Sequence, residues 1–225
     1  MEHPVLAAIG RAGFAALGWF APEPRDGLPP ETRFVILIGN AGPAMFRRFA
    51  RERDPFHDLI DDWTRVVVGE LARDLDASAI YPFDRPYPPI LTWARRGGAG
   101  HVSPLGLNIH PTYGLWHAYR AALAFPVAFD LPEPAASAHP CASCKDKPCL
   151  TACPVSAFDG SGYDVASCGR HLLTASGAPC MQGGCLARLA CPVGVAHAYG
   201  MEQMQYFMRA FQAARRRELQ QHTHG

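Results

Sequence analysis

The stretch that decides the architecture is CASCKDKPCLTACP at residues 141–154, followed by CGRHLLTASGAPCMQGGCLARLACP at residues 168–192. Together they contain all eight cysteines of the 225-residue chain. The segment 130–140, before the first cysteine, is rich in proline and alanine and has no apolar period, which is typical of a linker. We therefore predict a domain boundary near residue 135.

Both cysteine stretches end in Cys-Pro, and their spacing is typical of iron–sulfur ligands. Three closely spaced thiolates can hold three corners of a cubane, and in two-cluster bacterial ferredoxins the cysteine before the proline binds the other cluster. Eight cysteines then supply two 4Fe–4S clusters, with none left over. This crossing pattern assigns one cluster to Cys141, Cys144, Cys149 and Cys191, and the other to Cys153, Cys168, Cys180 and Cys185. The two clusters would lie close enough to exchange electrons.

Two other uses of eight cysteines compete with this interpretation. Structural zinc also takes four thiolates per ion, but it usually shows two Cys-x2-Cys knuckles per ion and does not need the Cys-Pro pair. Four disulfides would require an oxidising compartment, and Glu2 and His3 stand where an export signal has basic residues. We therefore expect a cytoplasmic iron–sulfur protein. With a full cysteine set, His171 and His197 are expected to pack rather than to bind metal.

Charge and hydropathy argue against two classes of partner. The chain has 21 Lys and Arg against 20 Asp and Glu, a net charge of +1, which does not favour bulk nucleic-acid binding. Its longest uncharged apolar runs are far shorter than the ~20 residues of a membrane-spanning helix. We expect no nucleic-acid partner and no membrane segment.

The residues before the linker predict a mixed domain of helices and strands, and those after the cysteines predict one helix. Helices are predicted at 6–19, from Pro43 to about Arg53, from Pro55 to about Leu75, at 90–96 and at 201–219; strands are predicted at 33–39, 79–83, 105–110 and 113–129. The last strand segment is alanine-rich enough to be helical as well. Met204, Phe207, Met208 and Phe211 share one side of the C-terminal helix and are expected to pack.

The cysteine order of four, one and three resembles the ferredoxin module of the epoxyqueuosine reductases and reductive dehalogenases. The lone cysteine is Cys168, in YDVASCGRH at 163–171. The x4 and x5 spacings are longer than those of ferredoxins. The first 130 residues resemble the cobalamin-processing proteins that remove the upper ligand of imported cobalamin in animals. That likeness rests on RFVILIGNAGPAMF at 33–46, on the helix after Asp54-Pro55 and, above all, on GLNIHPTYGLWHAYRAAL at 106–123.

The resemblance implies an α+β protein of three parts. These are a flavin-nitroreductase-like, cobalamin-binding domain at 1–135, a bacterial-ferredoxin-like domain with two 4Fe–4S clusters at 136–200, and a C-terminal helix at 201–225. The implied function is that of an iron–sulfur reductase. It passes electrons from an external low-potential donor to a base-off cobalamin and removes the upper ligand or performs related reductive chemistry.

The same resemblance implies a set of corrinoid contacts. The residues are His110, Pro111, Tyr113, Gly114 and Trp116 against the corrin, and Arg120 on a propionamide or the nucleotide phosphate. Asn40 and Gly42 are further candidates, although an ordinary strand-to-helix turn explains them equally well. No proton donor can be aligned, and Asp84 and Tyr113 are the only residues considered for that role.

Several alternatives stay open at this point. One is a cobalamin-free, ferredoxin-type electron-transfer protein that docks a partner, which the lack of a recognisable proton donor favours. Another is a domain that binds flavin mononucleotide, as related nitroreductases do. A homodimer is also expected from that fold, whereas glutathione use and a transfer-RNA substrate are not expected for a short, near-neutral chain with clusters in its C-terminal part.

Overall fold

The computed structural model of this protein describes residues 3–53, 59–98, 100–132 and 138–222. The chain divides into two compact units. The first comprises Met1–His101 and Trp116–Ala138, and the second comprises Val102–Leu115 and His139–Gly225. The chain therefore enters the second unit twice, and the segment around His110 belongs to the same unit as the cysteines. The predicted boundary near residue 135 lies outside the described residues.

An antiparallel sheet forms the centre of the first unit. Its strands are β1 (Ala15–Phe20), β2 (Phe34–Ala41), β3 (Ser78–Ile80) and β6 (His117–Phe125). They are arranged in the order β1-β2-β6-β3. Every position of β2 from Phe34 to Asn40 is buried, so both faces of the sheet are covered.

Four helices of the first unit cover this sheet. They are α1 (Pro4–Arg11), α2 (Ala44–Glu52), α3 (Ile60–Asp74) and α4 (Ile90–Arg96). α4 buries Ile90 and Trp93 against Val35 and Leu37 on one face of β2. α2 packs on β2, and α3 packs on β3 and β6. The buried run of β2 is thus the hydrophobic centre of this unit.

The second unit consists of short helices and one long helix. The helices are α5 (Pro148–Thr151), α6 (Val165–Leu172), α7 (Ala178–Gly183), α8 (Leu186–Leu189) and α9 (Met201–His222). Two short strands, β4 (His101–Val102) and β5 (Asn108–Ile109), pair where the chain first enters this unit. α9 packs against α6 and α7. Among the described residues, neither α9 nor any other helix is long and apolar enough to cross a membrane.

Several predicted elements are confirmed. The predicted helix at 90–96 is α4, the one at 201–219 is α9, and the predicted strand at 33–39 is β2. The segment 113–129 contains the strand β6 rather than a helix, because its residues pair with both β2 and β3. The predicted start of α3 at Pro55 lies outside the described residues.

Two predicted elements are wrong over part of their length. The predicted helix at 6–19 ends at Arg11, because Gly13 adopts a φ of 86° and the following residues pair with β2 as β1. Tertiary pairing overrides the helical spacing there. The predicted strand at 105–110 is extended only over β5, because the chain turns at Gly106 with a φ of 70°.

Candidate functional site

Four thiols of the second unit lie close together. Burial raises the pKa values of Cys141 and Cys149, and so does the proximity of further thiols, because neighbouring negative charge disfavours the thiolate. The neighbours of Cys141 are Cys144, Cys149 and Cys191, and those of Cys149 are Cys144 and Cys191. The crossing pattern assigns these same four residues to one cluster, and we call them the first set.

The other four thiols form a separate group. Burial raises the pKa values of Cys168, Cys180 and Cys185, and each of these thiols also feels other members of the group. Cys168 is close to Cys153 and Cys185, Cys180 is close to Cys153 and Cys168, and Cys185 is close to Cys153 and Cys180. These four residues, Cys153, Cys168, Cys180 and Cys185, are the second set. They too follow the crossing pattern.

Backbone N–H groups are directed at thiols of both sets. The N–H of Ala157 donates to Sγ of Cys153 over 3.4 Å. At other thiols, neighbouring backbone N–H groups lower the pKa and partly offset the rise that burial causes: Leu186 acts on Cys180, Ala187 and Arg188 on Cys185, Val193 on Cys191 and Leu150 on Cys149. Such donors stabilise a negatively charged sulfur and are one of the levers on the potential of an iron–sulfur cluster.

The cysteines fit the donor set that two cubanes require. All eight are free thiols. Over the described ranges, no three His, Cys, Asp or Glu side chains are close enough together to hold a single metal ion. A cubane differs from a single ion in this respect, because it takes four cysteines on separate irons. The assignment of these residues as iron ligands remains a prediction.

Residues His110 to Gly114 form a closed loop in the second unit. The N–H of His110 donates to the carbonyl of Gly114 over 2.9 Å, and the N–H of Gly114 donates back over 2.8 Å. Nδ1 of His110 accepts from the N–H groups of Thr112 and Tyr113 at 3.0 and 3.3 Å, so this nitrogen carries no proton. The ring of Tyr113 lies 4.6 Å from that of His110 and 4.9 Å from that of His197.

One end of this loop is fixed next to the first set. Gly114 has a φ of 56°, and a Cβ atom there would lie 2.0 Å from the carbonyl oxygen of Val193, which is two residues after Cys191. The guanidinium of Arg188 donates to the carbonyl of Leu115. Only a residue without a side chain allows such a close approach of two backbones.

The beginning of the segment 102–115 is fixed next to the first set as well. The carbonyl of Val102 accepts a hydrogen bond from Nε2 of His139 over 3.1 Å. Nδ1 of the same imidazole accepts the N–H of Cys141, also over 3.1 Å. Hydrogen bonds and backbone contacts therefore connect both ends of the segment to residues beside the predicted ligands.

The remaining predicted corrinoid contacts lie in the first unit, in buried positions. Arg120 donates from Nε to Asn40 over 3.1 Å and from Nη1 to Asp61 over 3.3 Å, and it is 8% exposed. Trp116 is 2% exposed, and its carbonyl accepts the N–H of Gly42 over 2.8 Å. The structure thus places His110, Pro111, Tyr113 and Gly114 on the second unit, and Trp116 and Arg120 on the first.

The geometry around Asp84 argues against a proton-donor role for this residue. Burial by itself would raise the pKa of Asp84, but the N–H of Tyr81 and the guanidinium of Arg65 outweigh it and lower that pKa. The two donors lie 3.0 and 2.8 Å from the carboxylate. A carboxyl group that is held ionised in this way is a poor proton donor at neutral pH.

The low pKa of His110 predicts how the stability of the folded protein depends on pH. Burial, with a smaller contribution from His197, lowers the pKa of His110 to about 4. In the unfolded chain, His110 has an ordinary pKa of about 6.5 and is protonated at a pH where the folded chain keeps it neutral. The free energy of unfolding therefore falls as the pH drops from 6.5 towards 4. In urea unfolding of the cluster-loaded protein, wild type should lose more stability between pH 7 and pH 5 than His110→Gln. Equal losses would contradict the prediction.

Two residues around the cysteines were missed by sequence reasoning. They are His139 and Arg188, which hold the two ends of the segment 102–115. Each lies within three positions of a cysteine, which is the only signal that the sequence offered. Their partners are distant in sequence, so their roles depend on the fold.

A scan against protein-family models finds no match, and a search of curated proteins finds none either. Among solved structures, an epoxyqueuosine reductase from Streptococcus thermophilus matches with a TM-score of 0.53 and 14% identity over 84% of this chain and 65% of that one. The Bacillus subtilis enzyme matches with a TM-score of 0.49 and 16% identity, over 89% of this chain and 68% of that one. An epoxyqueuosine reductase with a modified tRNA stem loop matches with a TM-score of 0.48 and 17% identity over the same shares.

These comparisons concern the fold. This chain is mixed α/β and similar in fold to an epoxyqueuosine reductase. It spans 65% of the length of the Streptococcus thermophilus enzyme. The prediction that this chain binds no nucleic acid stays a prediction.

Proposed function

We propose that this chain is an iron–sulfur reductase that delivers single electrons to a base-off corrinoid. The observation that carries the proposal is the position of the loop His110–Gly114, which is fixed next to Cys191 within one compact unit. The loop is the strongest candidate for corrinoid contact, and the cysteines are the candidate ligands. Their proximity is what electron delivery to a corrinoid requires.

The first and second sets would each hold one 4Fe–4S cluster, and bound clusters would supply single electrons at low potential. The protein's part is to hold the thiolates and to exclude water. The backbone N–H groups described above stabilise the thiolates. Leu105, Ile109 and Leu115 belong to the same buried apolar cluster as Cys149 and Cys191, so the segment 102–115 shields the first set from solvent.

The loop itself would present a preorganised surface to the corrinoid. Its backbone hydrogen bonds and the contact between the tilted His110 and Tyr113 rings hold it in one conformation, so little ordering is needed on binding. His110 is uncharged at neutral pH, and its Nδ1 is occupied by two N–H groups. The base-off mode needs no axial histidine, and we assign His110 a packing role against the ring rather than a bond to cobalt.

The finer architecture belongs to the same proposal. We assign the first unit a flavin-nitroreductase-like fold and the second a bacterial-ferredoxin-like one. We also propose that the protein receives electrons from an external low-potential donor, forms a homodimer and is located in the cytoplasm. Fold similarity to an epoxyqueuosine reductase is compatible with this architecture.

The test begins with protein purified without oxygen. Iron and labile sulfide are counted, hydroxocobalamin is titrated while the visible spectrum is recorded, and cobalamin reduction by a viologen donor is timed with and without the protein. We expect about eight irons per chain, a base-off spectrum and protein-dependent reduction. His110→Ala should keep its iron and bind cobalamin at least tenfold more weakly, a loss of about 1.4 kcal/mol. Leu107→Ala, an exposed position of the same segment, is the matched control.

Other outcomes point to specific alternatives. A full iron content with neither cobalamin binding nor reduction would reject the reductase and favour the cobalamin-free electron-transfer protein. A protein that stays yellow after release of the clusters would favour the domain that binds flavin mononucleotide. Binding of an RNA stem loop, measured on the same preparation, would overturn the expectation that nucleic acid is not a partner.

A further inference from the structure

His139 connects a predicted cluster ligand to the beginning of the segment 102–115. Its Nδ1 accepts the N–H of Cys141 over 3.1 Å, so this nitrogen carries no proton. Nε2 then carries the proton and donates a hydrogen bond to the carbonyl of Val102, also over 3.1 Å. One ring nitrogen is thus bonded to the backbone of a first-set cysteine and the other to the first residue of the segment.

Arg188 makes the equivalent connection at the other end of the segment. Its carbonyl accepts the N–H of Cys191 over 3.2 Å, and its guanidinium donates to the carbonyl of Leu115. The guanidinium carbon also lies 4.5 Å from the centre of the Tyr199 ring, and this tyrosine is buried, so the side chain has little freedom to move away. Each end of the segment is therefore bonded, through one residue, to the backbone of a first-set cysteine.

Between its two ends, the segment packs close to the thiols. Leu105 and Ile109 are fully buried in one apolar cluster with Cys149 and Cys191, both of the first set. Partly buried thiols of both sets surround this cluster, so the packing by itself does not separate the two sets. The hydrogen bonds at the two ends do separate them, because both lead to cysteines of the first set.

We propose that His139 and Arg188 are positioning residues through which the first cluster orders the loop His110–Gly114, and that the second cluster has no such effect. A bound cluster fixes Cys141 and Cys191 on its irons, and their N–H groups then hold the two positioning residues against the ends of the segment. An empty first set releases both ends. The consequence is that a corrinoid is bound tightly by protein that already carries the cluster needed to reduce it.

The proposal rests on the proposed function in that the cysteines hold clusters and the loop binds the corrinoid. The order of the segment can nevertheless be measured without a corrinoid, because ordered backbone N–H groups exchange their hydrogens slowly with solvent. The N–H groups of His110 and Gly114 are both hydrogen-bonded within the loop and report on its order. The coupling and the function can therefore be tested separately.

The test measures amide hydrogen exchange by mass spectrometry on anaerobically purified, corrinoid-free protein. Cys144→Ala removes a ligand of the first set and Cys180→Ala one of the second, and among the described residues both thiols lie outside the apolar cluster of Leu105. We expect exchange in the segment 102–115 to be about tenfold faster in Cys144→Ala and unchanged in Cys180→Ala. α9 packs on α7, which contains Cys180, so its exchange should rise in Cys180→Ala alone.

A second variant breaks the connection and leaves the ligands in place. In His139→Asn the side-chain oxygen still accepts the N–H of Cys141, as in an Asx turn, but the shorter side chain does not reach Val102. This variant should keep its full iron content, exchange about tenfold faster in the segment 102–115 and bind hydroxocobalamin about tenfold more weakly. His171→Asn, three positions after Cys168 of the second set, is the matched control and should behave as wild type.

Unchanged exchange of the segment in Cys144→Ala, with one cluster lost, would overturn the inference, and so would an equal rise in Cys180→Ala. If Cys144→Ala yields no folded protein, His139→Asn decides, because full iron content with unchanged exchange rejects the proposal. Wild-type protein that holds clusters but binds no cobalamin would overturn the proposed function, and the exchange results would still show whether the first cluster orders the segment.

Discussion

Replacing Cys149 and Cys153 together by alanine is expected to abolish both clusters, whereas replacing Cys149 and Cys191 together should abolish only one. The physical reason is the crossing of ligands between the two stretches of sequence. Cys149 and Cys153 are neighbours in the chain but belong to different sets, while Cys149 and Cys191 share the first set. A 4Fe–4S cluster takes four cysteines, and loss of a ligand exposes the cluster to solvent and to loss of iron.

Iron and labile sulfide counts on anaerobically purified protein measure this outcome. Wild type should contain about eight irons, Cys149→Ala/Cys191→Ala about four, and Cys149→Ala/Cys153→Ala close to none. The first double variant is the matched control for the second, because both lose two thiols. A sequential grouping, with Cys141 to Cys153 around one cluster, would reverse the two results and reject the crossing pattern. Zinc in place of iron would reject clusters altogether.

The second large effect is expected from Gly114→Ala, which should destabilise the folded protein by about 2 to 4 kcal/mol. The left-handed backbone of Gly114 costs an alanine about 1 kcal/mol. The new methyl group would also lie 2.0 Å from the carbonyl oxygen of Val193, and overpacking of this kind adds about 1 to 3 kcal/mol. Because the neighbour is backbone rather than a flexible side chain, it cannot move aside at low cost.

Gly106 is the matched control for this effect. It also has a positive φ, of 70°, but nothing lies within 4 Å of the position that a Cβ atom would take. Gly106→Ala should therefore cost about 1 kcal/mol, from backbone conformation alone. Urea unfolding of cluster-loaded proteins measures both values. Equal costs for the two variants would show that the loop is not held against the chain beyond Cys191.

Local sequence signals predicted a helix or strand well where proline and glycine residues mark its two ends. The helix Ile90–Arg96 follows Pro88 and Pro89 and is succeeded by Gly97 and Gly98, and the structure has it with the same bounds. The helical spacing of residues 6–19 was misleading, because β1 gains more from pairing with β2 than from continuing a helix. The strand β6 was equally open to a helical interpretation until its pairing partners were known.

The candidate site was only partly predictable for a similar reason. His110 and Arg120 stand in one short motif, and the sequence offered no ground for separating them. The structure places the first on the second unit and buries the second in the first unit, bonded to Asn40 and Asp61. Those partners are far away in sequence, and no local sequence pattern predicts that the guanidinium of Arg120 is buried.

By itself, the sequence predicted two sets of four thiols and the residues of each, and the thiols that influence one another in the structure follow the same grouping. Thiolate spacing and the Cys-Pro endings are local properties of the chain, and they limit the possible clusters without knowledge of the fold. Only the tertiary structure decided that the segment 102–115 lies with the cysteines and that Gly114 touches the chain beyond Cys191. These are long-range contacts, and their free energy comes from burial and backbone approach between segments that no periodicity connects.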